Sequence, residues 1–255
     1  MTATNGFKGK SIIVTGAGSG IGRAAAIQFA MQGGKVLIAD LNEATANVVA
    51  EEIRAAGGVA VTVVGDLSDQ VIVDRVVTTA IEQFGTIDVL VNNAGIMDSM
   101  SANDEVTTKE WDRVIRVNLT APFMLSRAAL PHMLKVGKGA IVNTASEAAI
   151  RGSAAGTAYT VSKHGIVGLT KSDAVMYRNR GIRVNAVAPG GTRTNIQVVP
   201  VEGTEGPKIL GGYMSNVGRI ADADEVAAAI LFLASDAASD INGAILPVDG
   251  GWSAV

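Results

Sequence analysis

The chain contains no cysteine, so it can form no disulfide and no thiolate metal site. Histidine is nearly absent too. His132 and His164 are the only two, which excludes a three-histidine zinc centre and an HExxH motif. No metal is expected. Basic residues are not in excess: 21 Lys and Arg stand against 24 Asp and Glu, a formal net charge of −3. There is no basic cluster and no aromatic–basic interleaving, so no nucleic-acid partner is expected. The longest apolar run, "VAAAILFLA" (226–234), is too short to span a bilayer. The opening "MTATNGFKGK" lacks the apolar core of a signal peptide. A cytoplasmic protein without membrane association is expected. Aromatic residues make up only 4% of the 255, whereas glycine reaches 30, a composition suited to tight turns and close helix–sheet packing.

Short apolar runs alternate with longer segments of helical period. Strands are predicted at 11–15, 35–40, 59–65, 87–92, 139–146, 182–189 and 243–250. Helices are predicted at 21–33, 42–58, 69–84, 108–135, 157–180 and 222–236. The strand runs are apolar on both faces, which predicts a parallel sheet covered on both sides. Regular βα alternation predicts a doubly wound α/β fold of seven strands. No linker, repeat or low-complexity stretch interrupts it, so one domain is expected over 1–255. Two long segments break the rhythm, "IMDSMSANDEV" (96–106) and the Gly-rich 190–220. Both follow the carboxyl ends of strands, where such sheets bind ligands, and the second is expected to be a mobile substrate loop.

"TGAGSGIG" (15–22) joins the first strand to the first helix. It fits GxxxGxG through Gly16, Gly20 and Gly22: a tight turn, close backbone approach, and a helix N-terminus whose free N–H groups bind a pyrophosphate. A plain Gly-rich βα turn with no ligand is the competing reading. Asp40 ends the second strand. A carboxylate there can accept both ribose hydroxyls of an adenosine and repels a 2′-phosphate, or it can simply cap the following helix. Neither position 19, a serine, nor positions 41–43 is basic, so the expected cofactor is NAD rather than NADP. "AYTVSKHG" (158–165) places Tyr159 and Lys163 one turn apart on one helix face.

With "GDL" (65–67), "NNAG" (92–95), Asn118, Ser146, "YTVSK" (159–163) and "PGGTRT" (189–194), the chain resembles the short-chain dehydrogenase/reductases over about residues 10–250. The resemblance implies a Rossmann-type sheet of order 3-2-1-4-5-6-7, usually in a homotetramer. It implies Tyr159 as proton donor or acceptor, Lys163 as its electrostatic partner, Ser146 as the substrate-orienting hydroxyl, and Asn118 as support for a proton-relay water. For the cofactor it implies Gly16, Ser19, Gly20, Ile21 and Gly22 at the phosphates, and Asp40, Leu41, Asp66 and Leu67 around the adenosine. Asn93, Ala94, Gly95 and Val117 would run along the cofactor, and Pro189, Gly190, Thr192 and Thr194 would hold the nicotinamide half.

The chemistry asks for the same residues. Hydride transfer to a ketone builds charge on oxygen, which needs a proton. A free tyrosine, with a pKa of about 10, is a poor acid/base near neutrality. A lysine one helical turn away is expected to lower that value. Ser146 can hydrogen-bond the same oxygen. The function so implied is hydride transfer between NAD(H) and a secondary alcohol or ketone. A 3-oxoacyl-carrier-protein reductase is an alternative that Ser19 and Asp40 count against. A non-catalytic nucleotide sensor is a third reading, which would not need the acid/base pair. Apolar residues in 190–220 (Val198, Val199, Val201, Ile209, Leu210, Tyr213, Met214) and the small residues of "SEAAIRGSAAG" (146–156) point to an apolar, uncharged substrate. Arg151 could instead meet an anionic group. Finally, Pro122 has no N–H for the carbonyl of Asn118, so it is expected to open the helix there and free that carbonyl for a water.

Overall fold

A computed structural model describes residues 6–255. Seven parallel strands are β1 (Ser11–Thr15), β2 (Lys35–Asp40), β3 (Val59–Val64), β4 (Val89–Asn92), β5 (Gly139–Thr144), β6 (Ile182–Pro189) and β7 (Ile245–Val248). They lie in the order β3-β2-β1-β4-β5-β6-β7, the order the sequence implies. Strand order reverses beside β1, whose neighbours are β2 and β4, and the crevice at this switch point opens at the carboxyl ends of the strands.

The strands read apolar throughout because both faces are covered. On one face Ile12, Val14, Val36 and Ile38 pack against α1 (Gly20–Met31), α2 (Glu43–Ala55) and α8 (Ala223–Ala234). On the other, Ile13, Leu37, Leu90 and Ile141 pack against α3 (Gln70–Phe84) and α5 (Ala121–Val136). Neighbours such as Ile12 and Ile13 point to opposite layers, as the pleat requires. Each such side chain contributes about 1.5–3 kcal/mol by leaving water. α4 (Thr108–Ile115), α6 (Thr157–Tyr177) and α7 (Gly206–Gly211) complete the set. No helix among the described residues is long and apolar enough to cross a membrane.

Three local expectations are corrected. Strand β4 begins at Val89 rather than at residue 87; Asp88 just before it still bonds the Ser11 carbonyl and the Ala140 N–H through its main chain, and its carboxylate accepts the Ser11 N–H at 2.7 Å. Strand β5 ends at Thr144, two residues before Ser146. The helix is not broken at Pro122: α4 and α5 are joined by a π turn over Arg116–Thr120, in which the Ala121 N–H reaches back to the Arg116 carbonyl. The widened turn keeps the chain helical into α5, while Pro122 still has no N–H to offer the Asn118 carbonyl. The segment 190–220 carries short elements of its own. It holds α7, a 3₁₀ turn at Met214–Val217 and, at its start, Thr192–Arg193 paired with Ala221–Asp222.

Candidate active site

Most site residues named from the sequence lie at the carboxyl ends of the strands or in the turns that follow them, with Val117 and Asn118 in the π turn and Tyr159 and Lys163 on α6. After β1, Gly16 and Gly20 take φ of +62° and +52°, open to glycine with little strain. A Cβ at Gly22 would stand 2.2 Å from the Gly16 carbonyl oxygen, so helix and turn meet backbone to backbone. The N-cap of α1, Ser19, makes no side-chain capping bond, and no acidic residue occupies the first turn. The helix end is left with unpaired donors and an uncancelled positive dipole end, with Ile21 half-buried behind it. That is the chemistry a pyrophosphate needs.

At the end of β2, Asp40 accepts the Gly18 N–H at 2.7 Å through one oxygen and the Asn42 N–H at 2.9 Å through the other. Asn42, not Asp40, caps α2. Each Asp40 oxygen keeps a free lone-pair direction. Leu41 beside it is largely exposed, and Leu67 is buried. Asp66 is bonded to the Ser68 N–H at the rim and makes no hydrogen bond to another candidate residue.

Asn93 and Ala94 do more local work than the resemblance implies. The Asn93 side-chain amide donates to the Thr15 carbonyl at 3.0 Å, and the Asn93 and Ala94 N–H groups donate to the Thr15 hydroxyl at 2.9 and 3.0 Å. They brace the glycine turn from β4. Gly95 lies where a Cβ would be 3.4 Å from Asn118 Oδ1 and 3.5 Å from Lys163 Nζ. Thr194 closes over the turn from the β6 side, its Cβ 3.1 Å from the position a Gly20 Cβ would take. Pro189 ends β6, and the N–H of Gly190 just after it lies on the Val248 carbonyl at 3.1 Å. Thr192 donates to the Gly190 carbonyl at 3.2 Å.

Ser146, Tyr159, Lys163 and Asn118 converge. The Ser146 hydroxyl accepts the Ala148 N–H at 3.1 Å, capping a short 3₁₀ turn while staying partly exposed beside the Tyr159 phenol. Asn118 in the π turn, next to the half-buried Val117, spends its side chain on structure. It accepts the Ile96 N–H and donates to the Ile96 carbonyl, both at 2.9 Å, and donates to the Ser162 hydroxyl at 3.2 Å. Lys163 donates to the Thr144 carbonyl at 2.8 Å and stands 5.4 Å from the Tyr159 ring centre.

The expected downward pull of Lys163 on Tyr159 is overridden. Burial pushes the phenol up to about 12, with Ser146 pulling it down and Asp98 pushing it further up. Burial also brings Lys163 down to about 8. Both groups are almost wholly out of water, and desolvation disfavours the charged form of each. Arg151 is likewise not free for an anion: its Nε lies 3.0 Å from the buried Glu147 carboxylate.

Sequence reasoning missed Asp98, Glu105 and Glu110. The buried Asp98 accepts N–H groups from Met100, Gly156 and Tyr159. Glu110 binds the Ser99 N–H and hydroxyl, each at 2.6 Å. Glu105 accepts the Glu205 N–H at 2.6 Å and the Gly206 N–H at 3.2 Å, latching the segment after β4 to the one after β6. Around Tyr159, Ile96, Met97, Val106 and Trp111 pack on Val114, Ala148 and Ala158, an apolar wall.

Comparison with known proteins identifies the family. A family profile described as enoyl-(acyl carrier protein) reductase matches residues 16–253. The cis-4-hydroxycyclohexanecarboxylate dehydrogenase of Sinomonas cyclohexanicum is 42% identical, covering 98% of each chain. The levodione reductase of Leifsonia aquatica is 38% identical, covering 100% of this chain and 99% of its own. A crystal structure of levodione reductase superposes with a TM-score of 0.88 at 36% identity over 98% of this chain and 99% of that one. A short-chain dehydrogenase from Burkholderia cenocepacia, solved in complex with NADP, gives 0.86 at 35% identity over 97% and 99%. The chain belongs to the short-chain dehydrogenase/reductase family. It is an oxidoreductase of the alcohol/ketone type.

Proposed function

We propose that the protein transfers a hydride between NAD(H) and a cyclic, apolar and uncharged secondary alcohol or ketone, with Tyr159 as acid/base. The observation that carries this reading is the convergence of Ser146 and Tyr159 beside the buried Lys163, inside an apolar wall and at the mouth of an anion-ready helix. The relatives named for hydroxycyclohexanecarboxylate and levodione support a ring-sized substrate. The α1 N-terminus, Asp40 and the Pro189–Thr194 turn would hold the dinucleotide, which when bound would give or accept the hydride. In reduction, Tyr159 Oη gives its proton to the ketone oxygen while the Ser146 hydroxyl donates a hydrogen bond to the same atom. In oxidation, the proton returns to Tyr159. Lys163 favours the phenolate as it forms, and the Asn118 main chain, lacking its α-helical donor at Pro122, supports a water near Lys163. A panel of cyclic and linear ketones and alcohols assayed with NAD(H) and NADP(H) tests the reading. Turnover confined to charged or acyl-thioester substrates would overturn it.

The Glu105 latch ties the same reading to the 190–220 loop, which we take as the mobile cover of the substrate. Glu105→Ala removes the acceptor for Glu205 and Gly206. Substrate KM is expected to rise several-fold while dinucleotide affinity is unchanged, and amide exchange over 205–211 is expected to accelerate without change in α3.

We further propose a homotetramer. Exposed apolar side chains lie on α5 and α6 (Phe123, Val161, Val175, Met176) and on α8 (Phe232), and among the described residues β7 pairs only with β6, leaving a sheet edge. Two different twofold contacts through these surfaces generate a D2 assembly. Light scattering at micromolar concentration is expected to give four times the chain mass. A monomer would contradict it.

A further inference from the structure

We propose that Asp98 is a positioning residue that holds the first turn of α6 and keeps Tyr159 in its protonated, proton-donating form. The inference rests on the reading of Tyr159 as acid/base and adds a control on it from outside the Ser146–Tyr159–Lys163 set.

The geometry starts at a helix that does not cap itself. The N-cap of α6 is Gly156, which has no side chain to offer, and Tyr159 is the third residue of the helix. The N–H groups of this turn would be orphaned in a dry environment. Asp98, only 3% exposed and 61 residues earlier in the chain, fills the gap. One of its oxygens accepts the Tyr159 N–H at 2.8 Å. The other accepts the Gly156 N–H at 3.2 Å and the Met100 N–H at 3.0 Å. The fit is tight: a Cβ at Gly156 would lie 2.6 Å from the Asp98 carboxylate. Among the described residues, Met100 is the one non-glycine with positive φ, at 60°. That left-handed turn brings its N–H back onto Asp98. Backbone strain of this kind persists only where the surroundings over-determine it.

A hydroxyl or an amide could cap a helix as well as a carboxylate can. What distinguishes Asp98 is a charge at the backbone of the residue that carries the phenol; burial pushes its own carboxyl up, and the N–H bonds from Tyr159, Met100 and Gly156 pull it back down. The positive end of the α6 dipole lies at Tyr159 and favours phenolate, and Asp98 cancels it. The negative charge also disfavours a second one forming nearby, and Asp98 is among the causes that raise Tyr159. The other groups are accounted for. Lys163, on α6, faces Tyr159 and acts in the opposite sense, with its Nζ turned to the Thr144 carbonyl. Glu110, on α4, faces Asp98 and is tied to Ser99. Glu147, next to Ser146, is paired with Arg151. Tyr159 is therefore bracketed by two buried charges of opposite sign, and Asp98 is the one that favours the acid form. The bias favours ketone reduction and pushes alcohol oxidation to high pH.

The test reads the phenol without turnover. The chain has three tyrosines, so Tyr177→Phe with Tyr213→Phe leaves Tyr159 as the only one. Uniform incorporation of 3-fluorotyrosine then labels that site alone, and fluorine NMR follows its titration. In Asp98→Asn, the midpoint is expected to fall by about half a pH unit or more relative to the parent. The pH profile of alcohol oxidation is expected to move the same way, and Asp98→Glu, which restores the charge, is expected to move it back. If Asp98→Asn does not fold, Asp98→Ser, a short neutral cap, gives the same comparison. An unchanged midpoint in a folded neutral variant would overturn the proposal even if Tyr159 is catalytic. An active Tyr159→Phe enzyme would instead overturn the functional reading and leave the fluorine result standing.

Discussion

Replacing Tyr159 with phenylalanine is expected to lower turnover by about a thousandfold while leaving dinucleotide binding nearly unchanged. The phenol is the one group beside Ser146 able to give a proton to a ketone oxygen. The Lys163 ammonium points away, to the Thr144 carbonyl. The ring itself packs against Ala148 and Ala158, so Phe fills the same volume and the fold should not suffer. The loss should therefore appear in kcat with little change in KM, as expected for an interaction made only in the transition state. The pH dependence supplies a second reading. With the phenol held up to about 12, it is protonated throughout the neutral range, and the rate of alcohol oxidation should climb with pH across that range. Ketone reduction, which needs the protonated form, should stay level until Lys163 begins to lose its proton near about 8. Stopped assays in both directions, with dinucleotide binding followed by fluorescence, measure all of this. A sensor without catalysis would be indifferent to the substitution.

What the sequence disclosed about this site, and what it hid, divides by distance along the chain. The glycine turn, Asp40 and the Tyr159/Lys163 pair are local patterns whose geometry follows from a strand–turn–helix or from one helix face. They lie where the spacing puts them. The strand order was legible because βα alternation and a family resemblance agreed on it. The ionisation of Tyr159 was not legible: it depends on how completely α6 is buried against β5 and the segment after β4, a tertiary quantity that no local spacing carries. The same holds for Asp98 and Glu105. In sequence each is one acidic residue in an irregular loop, like Asp104 between them. Only the fold brings Asp98 to Tyr159 and Glu105 to Glu205, the latter 100 residues away. Pro122 misled for a different reason. A missing N–H can be met by breaking a helix or by widening one turn of it, and here the turn over Arg116–Thr120 is widened.

The cofactor choice is expected to rest on one carboxylate. NAD(H) should be preferred over NADP(H) in kcat/KM by at least about tenfold, or about 1.4 kcal/mol. Asp40 stands at the end of β2 with both oxygens already anchored by N–H groups, from Gly18 and Asn42. It cannot easily swing aside for a 2′-phosphate. Two unit charges about 4 Å apart at an effective dielectric of about 20 interact by about 4 kcal/mol, and an effective dielectric of about 40 at this partly exposed rim leaves about 2 kcal/mol. The reduced figure still exceeds what tenfold selectivity requires. No cation is positioned by sequence to offset it, since the neighbouring residue is the exposed Leu41 and the glycine turn carries Ser19. Asp40→Ala combined with Leu41→Arg should swing the ratio by about a hundredfold, to a preference for NADP(H) of about tenfold. Asp40→Ala also removes the anchor of the Gly18 N–H, so both cofactors should bind somewhat less well than in the parent. Asp40→Asn, which keeps an acceptor and loses the charge, separates that loosening from the electrostatic effect. It should bring the two cofactors close to parity. Initial rates with both cofactors across the three variants measure the ratio, and equal use by the unsubstituted protein would remove Asp40 from the role.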